Sequence, residues 1–274
     1  MTKHQGTTGR RALLRGFTAV GLAGLTGCTG AGRQDAAPAP AGGAARPVRE
    51  PSTYRLRPLS GPGGPRRAAP TVRKAPVLRL DTAPGDRAMA LTFDDGPDPA
   101  YTPEILRLLR AHDVRATFLV CGNRARESPD LLRRMADEGH VIGNHTWTHP
   151  LLLKLDRTRI RAEIERTSEL IARTVGEPPL WFRAPYGAWN RHVFELGTEL
   201  GMEPLAWTVD SLDWDNPGAP TVITRVVNRA APGVIVLNHD AGGDRSQTLT
   251  AVRGYLPRLL DAGYRMTVPR PFGV

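Results

Sequence analysis

Residues 89–120 read MALTFDDGPDPAYTPEILRLLRAHDVRATFLV, and the rhythm of this stretch decides the fold. Met89–Phe93 is a short apolar run with strand character. It breaks at Asp94-Asp95-Gly96-Pro97, residues that favour a turn. After Pro103 the pattern through EILRLLRAH is that of an amphipathic helix, and Thr117–Val120 is a second short apolar strand. The unit is strand, turn, helix, strand.

The same alternation continues to the C-terminus. Further strands are expected at Val141–Gly143, Trp181–Phe182, Leu205–Val209, Val234–Leu237 and Arg265–Val268. Between them DLLRRMADEG reads as a helix with Ser128 at its N-cap and Pro129 in its first turn. DRTRIRAEIERTSELIARTVG places Ile160, Ile164, Ile171 and Val175 at helical spacing, and LTAVRGYLPRLLDAG is the last helix. Repeated strand–helix alternation implies parallel strands joined by right-handed crossovers. Seven strands point to an α/β fold, a (β/α)7-type barrel, closed or incomplete, rather than an open doubly wound sheet. LTFDDGP holds one glycine, so it is not a dinucleotide-binding loop.

The chain has 274 residues, 40% of them hydrophobic, enough for one sizeable core. Its net charge of +10 is unevenly distributed. Residues 1–80 hold 14 Lys and Arg against 2 Asp and Glu, while residues 81–274 hold 23 against 25. The basic character belongs to the N-terminal segment. No basic face or nucleic-acid motif marks the rest, so nucleic acid is not an expected partner.

Lys3, Arg10, Arg11 and Arg15 precede Gly16–Gly27, which is free of charge and mostly small or apolar. This is the layout of an export signal, too short and Gly-rich to span a membrane, which takes roughly 20 apolar residues. The Arg10-Arg11 pair resembles a twin-arginine signal, with an ordinary Sec signal as the alternative. LTGC at Leu25–Cys28 resembles the bacterial lipobox, whose Cys is lipidated and becomes the mature N-terminus; a soluble secreted form cut nearby is the alternative. Residues 1–28 are therefore read as the signal, 29–77 as a disordered Pro/Ala/Gly/Arg linker, and 78–274 as a single folded domain. About 50 linker residues span about 40 Å at roughly 5–6 Å × √n. The protein is expected to be an exported monomer, held at the outer face of the cell membrane through lipid on Cys28. Cys121 then remains alone, a buried core thiol rather than a nucleophile.

Polar residues collect where the expected strands end. Asp94 and Asp95 follow the first strand; Asn144, His145 and His149 the third; Arg183 and Tyr186 the fourth; Asp210 and Asp213 the fifth; Asn238, His239 and Asp240 the sixth. In an α/β barrel these ends face one way, and active sites gather there. His145 and His149, four apart, share one face if that turn is helical. With a carboxylate from a neighbouring strand end they offer two imidazoles and one carboxylate, a set that suits zinc with an open position and also non-haem iron. A divalent ion there would polarise a carbonyl and lower the pKa of bound water. Adjacent Asp94 and Asp95 point to opposite sides on a strand, so one can ligate while the other acts as general base; a simple turn is the alternative. His239 is either a satisfied core histidine or a general acid, with Asp213 able to orient it and raise its pKa.

Five segments together resemble the polysaccharide deacetylases of carbohydrate esterase family 4, a NodB-like domain with a distorted (β/α) barrel. They are TFDDGP (92–97), HTWTH (145–149), RAPYG (183–187), DSLDW (210–214) and VLNHD (236–240), in the family's order. The resemblance implies that Asp94 is the general base and that Asp95, His145 and His149 hold a divalent metal, zinc first, with Co2+ or another divalent ion open. It implies that Arg183 pairs with Asp94, that the Tyr186 N–H helps hold the oxyanion, and that Asp213 orients the acid His239. Trp214 and Leu237 would wall the pocket for the acetyl methyl group, with Tyr186 beside them. The implied activity is removal of N-acetyl groups from a sugar polymer, peptidoglycan or a chitin-like N-acetylglucosamine glycan. An O-acetyl xylan esterase and a catalytically silent glycan-binding relative are the alternatives.

Overall fold

Met89, Leu91 and Phe93 alternate with Ala90, Thr92 and Asp94 along β1 (Ala88–Asp94), and every residue of the strand is buried. A strand buried on both faces belongs in a parallel sheet covered on both sides. The odd-numbered residues pack with Ile105, Leu109 and Tyr255 in the main core. Ala90 instead meets Leu119, Trp181, Leu205 and Ile235 in a second apolar cluster. The computed structural model describes residues 71–271. The readings placed on the export signal, on Cys28 and on the linker as far as residue 70 lie outside the described residues.

The remaining strands are β2 (Thr117–Val120), β3 (Val141–Asn144), β4 (Trp181–Phe182), β5 (Glu203–Pro204), β6 (Val209–Asp210), β7 (Ile235–His239) and β8 (Arg265–Met266). They pair in parallel in the order β5-β4-β3-β2-β1-β7-β6, with β8 beside the start of β1. Among the described residues seven α-helices flank the sheet: α1 (Thr102–Ala111), α2 (Gly122–Glu127), α3 (Pro129–Asp137), α4 (Arg157–Val175), α5 (Arg191–Glu199), α6 (Ala219–Asn228) and α7 (Ser246–Asp261). The sheet curls into a distorted, incomplete barrel. Among the described residues no ladder joins β5 to β6. At that opening Val77 pairs with Leu205, and Arg79 with Val234.

Three local expectations are corrected. The run Leu205–Val209 is not one strand. The chain makes one two-residue strand before it, β5, and another that starts at its last residue, β6; β6 pairs with β7 rather than with β5, so the described residues hold eight strands instead of seven. Ser128 stands at the N-cap of α3, but its hydroxyl makes no capping bond. The His145–His149 segment is not a helical turn: β3 ends at Asn144, and Thr146 and His149 are left-handed, with φ of +70° and +58°. The two imidazoles meet through a loop, their ring centroids 4.9 Å apart.

Period-two alternation lifts the site off this apolar floor. Two residues beyond Leu119 stands Cys121; beyond Gly143, His145; beyond Trp181, Arg183; beyond Ile235, Leu237 and then His239. Gly143 is needed on that floor. A Cβ there would come within 2.4 Å of Leu119 Cδ1 and 3.0 Å of the Trp181 carbonyl oxygen. Among the described residues no helix is long and apolar enough to cross a membrane.

Candidate active site

Arg183 organises the base of the site. It is fully buried, and its Nη1 donates to Asp94 Oδ1 at 2.6 Å and to Thr92 Oγ1 at 2.9 Å. Nε and Nη2 donate to the carbonyls of Leu205 and Ala206, at 3.2 and 2.8 Å. One guanidinium thus ties the end of β4 to β1 and to the chain that crosses the opening of the barrel. Burial lifts the Asp94 carboxyl above its ordinary value, and Arg183 pulls it back.

The Nδ1 of His145 lies 2.8 Å from the Arg183 carbonyl oxygen. A carbonyl only accepts, so Nδ1 carries the proton and Nε2 presents a lone pair. That nitrogen stands 3.6 Å from both Asp94 Oδ2 and Asp95 Oδ1, and His149 Nε2 stands 3.3 Å from Asp95 Oδ1. Burial drives the His145 pKa down to about 3, so the ring is neutral. Asp95 Oδ1 is buried and has no hydrogen-bond partner. The His145 Nε2 lone pair, the unpartnered Asp95 Oδ1 and His149 Nε2 converge here, an arrangement that suits a cation. The donor atoms of Asp95, His145 and His149 lie within 4.8 Å of one another. A tetrahedral ion with ligands at about 2.0–2.1 Å holds its donors roughly 3.3 Å apart, so the set fits a divalent ion.

Asp95 leaves the strand with φ +76°, so simple alternation does not describe the Asp94–Asp95 pair; both carboxylates reach His145. A Cβ on Gly242 would come within 2.5 Å of Asp95 Oδ2, so only glycine leaves that carboxylate its place.

On the next strand His239 is the register partner of Asp94. Its Nδ1 donates to Asp213 Oδ1 at 2.7 Å, and its backbone N–H donates to Oδ2 at 2.8 Å. Thr248 Oγ1 donates to the same Oδ2 at 2.8 Å. Burial alone would lower the His239 pKa, but Asp213, with Asp94 and Asp95 behind it, overrides that and raises it to about 9. His239 is therefore protonated at neutral pH, held by a carboxylate that stays ionised.

Asp94, Asp95, His145, His149, Tyr186, Trp214, Leu237 and His239 all line one cleft of about 630 Å³. That lies within the range of about 300–1,000 Å³ usual for small-ligand sites. Tyr186 is left-handed, with φ +61°, and 68% exposed; its ring packs edge-on to His149. Trp214 is half-exposed at the rim, and Leu237 is buried. Asp210 and Cys121 also line the cleft, and burial pushes the Cys121 thiol up, which disfavours a nucleophilic role. Asn144 faces away, donating to the Ile164 carbonyl and Ser168 Oγ.

Several residues joined to this site carried no role in the sequence reading. Asn238 donates to the Thr92 carbonyl and accepts from Tyr255 Oη, anchoring β7 to β1 and α7. Asp240 accepts from the Gly96 N–H at 3.1 Å and from Thr102 Oγ1, fixing the turn after Asp95. Arg245 binds the carbonyls of Ala241, Gly242 and Asp213, joining the loops that carry His239 and Asp213. Asn238 and Asp240 flank His239 in the chain, which was the available signal. Arg245 and Thr248 had none.

Residues 81–205 match the polysaccharide deacetylase family. The chain is 40% identical over 192 residues to a chitooligosaccharide deacetylase of Rhizobium leguminosarum bv. trifolii, covering 66% of this chain and 89% of the relative. It is 39% identical over 186 residues to a peptidoglycan-N-acetylglucosamine deacetylase of Bacillus cereus, covering 67% and 68%. The crystal structure of the Bc1960 peptidoglycan N-acetylglucosamine deacetylase matches with a TM-score of 0.67 and 36% identity, over 70% of this chain and 90% of that one. With sequence, fold and the converging Asp/His donors in agreement, this chain belongs to the polysaccharide deacetylase family, carbohydrate esterase family 4, and is a hydrolase of that class.

Proposed function

We propose that this protein removes N-acetyl groups from N-acetylglucosamine residues of a glycan polymer. The observation that carries the reading is the juxtaposition, in one cleft, of the Asp95/His145/His149 donor set, the buried Asp94 and the Asp213-bound His239. The relatives named for chitooligosaccharide and peptidoglycan N-acetylglucosamine support the choice of sugar.

A divalent ion held by Asp95, His145 and His149, zinc first by its taste for two imidazoles and a carboxylate, would polarise the acetyl carbonyl and acidify water. Asp94 then takes the proton of the water that adds to the carbonyl carbon. The Tyr186 backbone N–H donates to the oxygen on which negative charge develops. The His239 imidazolium, kept charged by Asp213, gives its proton to the amine nitrogen as the C–N bond breaks, leaving acetate and a free amino sugar. Leu237 and Trp214 enclose the acetyl methyl group. A silent binding protein has no use for such a base and acid.

The test is release of acetate and free amino groups from N-acetylglucosamine oligomers. Activity should vanish on chelation and return with Zn2+, with Co2+ as a second reconstituting ion. Turnover that persists in metal-stripped protein overturns the mechanism, and faster release from acetylated xylan overturns the preference for amides.

We further propose that the protein is exported, anchored through lipid on Cys28 at the outer face of the membrane, and acts on cell-wall glycan. The LTGC sequence and the basic arm before the domain support this location. Cys28→Ser should release the protein into the medium, and walls of cells lacking the protein should hold fewer free amino sugars. Unchanged walls, with fast turnover of soluble chitin oligomers, would point to scavenging instead.

A further inference from the structure

The five backbone N–H groups of the His145–His149 loop can be followed one by one. His145 N donates to the Val120 carbonyl at 3.0 Å. Thr146 N donates to Asn144 Oδ1 at 2.8 Å, and His149 N to Thr146 Oγ1 at 3.2 Å. The two between them, Trp147 N and Thr148 N, both donate to one oxygen, Glu163 Oε2, each at 2.8 Å. The other oxygen, Glu163 Oε1, accepts from Thr148 Oγ1 at 2.9 Å. Glu163 stands on α4 and touches neither the cleft nor the donor atoms.

The loop needs an external hold. Thr146 and His149 both occupy the left-handed region without being glycine, a conformation kept only when the surroundings impose it. The loop's carbonyls are held from the other side, by Gly122 N to Thr146 O at 2.9 Å and Asn123 N to Trp147 O at 3.1 Å. Arg166, also on α4, lies 3.7 Å over the Trp147 ring. Charged acceptors make the stronger hydrogen bonds, and this carboxylate receives three from two consecutive residues between the histidines.

We infer that Glu163 is a positioning residue for the metal site: its carboxylate fixes the separation of His145 and His149 by clamping the loop between them. The inference rests on the metal reading of Asp95, His145 and His149. A Glu163 variant keeps both histidines, so the effect appears in metal affinity and ligand geometry, not in the loss of a ligand.

The test is Zn2+ binding by competition titration of the full chain, with the visible absorption of the Co2+ form as a geometric readout. Glu163→Ala should weaken Zn2+ binding about 10- to 100-fold, the usual effect of removing an outer-shell partner, and shift the Co2+ bands. Glu163→Gln keeps one acceptor oxygen and should fall between Ala and wild type. Leu132→Ala, a truncation in the main core on α3, should lower the melting temperature and leave Zn2+ affinity unchanged. Zn2+ affinity of Glu163→Ala within twofold of wild type overturns the inference, as does an equal loss in Leu132→Ala. A wild-type chain that takes up neither Zn2+ nor Co2+ overturns the metal reading itself, and this inference with it.

Discussion

Asp94→Asn and His239→Ala are each expected to lower kcat on N-acetylglucosamine oligomers by about 10²–10⁴, with Zn2+ affinity kept, because in the proposed mechanism each removes a proton-transfer group and not a ligand. Asn at position 94 preserves shape and still accepts from Arg183 Nη1, but it cannot take a proton from water. At position 239 the loss differs in kind. Asp213 keeps the residue-239 N–H and Thr248 Oγ1 as donors, so the local structure should survive while the acid is gone. The two roles separate on an activated ester. Expulsion of 4-nitrophenolate needs no protonation, whereas expulsion of an amine does. His239→Ala should therefore lose far less on 4-nitrophenyl acetate than on the amide, and Asp94→Asn should lose heavily on both. Equal losses in His239→Ala on ester and amide would show that His239 does not protonate the leaving group.

The strand-end residues were legible because a buried parallel strand announces itself as an apolar run and its end as the first charged residue. Asp94, His145, Arg183 and His239 all appear that way. Local conformation was less legible. The His145–His149 spacing of four reads as a helical turn, and only the left-handed backbone at Thr146 and His149 shows how the pair actually meets. Leu205–Val209 reads as a strand because LAWTV is apolar and β-branched, yet its carbonyls at Leu205 and Ala206 are taken by Arg183 rather than by a neighbouring strand. α2, with the sequence GNRARE, buries only Gly122 and Ala125, too little for a periodic signal. α6 is rich in Val, Ile and Thr, whose propensity favours strands, and packing against α7 decides otherwise. Glu163 and Thr248 reach partners 15 and 35 residues away, and each sits inside a helix where Glu or Thr is unremarked. Such partners follow from the fold and not from any local pattern.

Arg183→Met is expected to cost about 3–5 kcal/mol of stability, the usual effect of removing one partner from a buried ion pair. The side chain is 0% exposed, and its loss strips donors from Asp94, Thr92 and the carbonyls of Leu205 and Ala206 together. Arg183→Lys should recover only part, because an ammonium cannot span that fork of acceptors. The sign of the pH dependence follows from Asp94. Burial already raises its pKa and Arg183 opposes the rise, so removing Arg183 lifts it further. A folded carboxyl that titrates above its unfolded counterpart binds more protons when folded, so the deficit of Arg183→Met should grow as pH rises and shrink in acid. The same lift moves the Asp94 titration upward, so in the proposed mechanism the acidic limb of kcat/KM should move to higher pH. Chemical denaturation of Arg183→Met with and without Asp94→Asn separates charge from packing. If the uncompensated carboxylate dominates, the double variant should be more stable than Arg183→Met alone. If the double variant is no more stable, the lost carbonyl partners and packing dominate, and Arg183 serves the open edge of the barrel more than the general base.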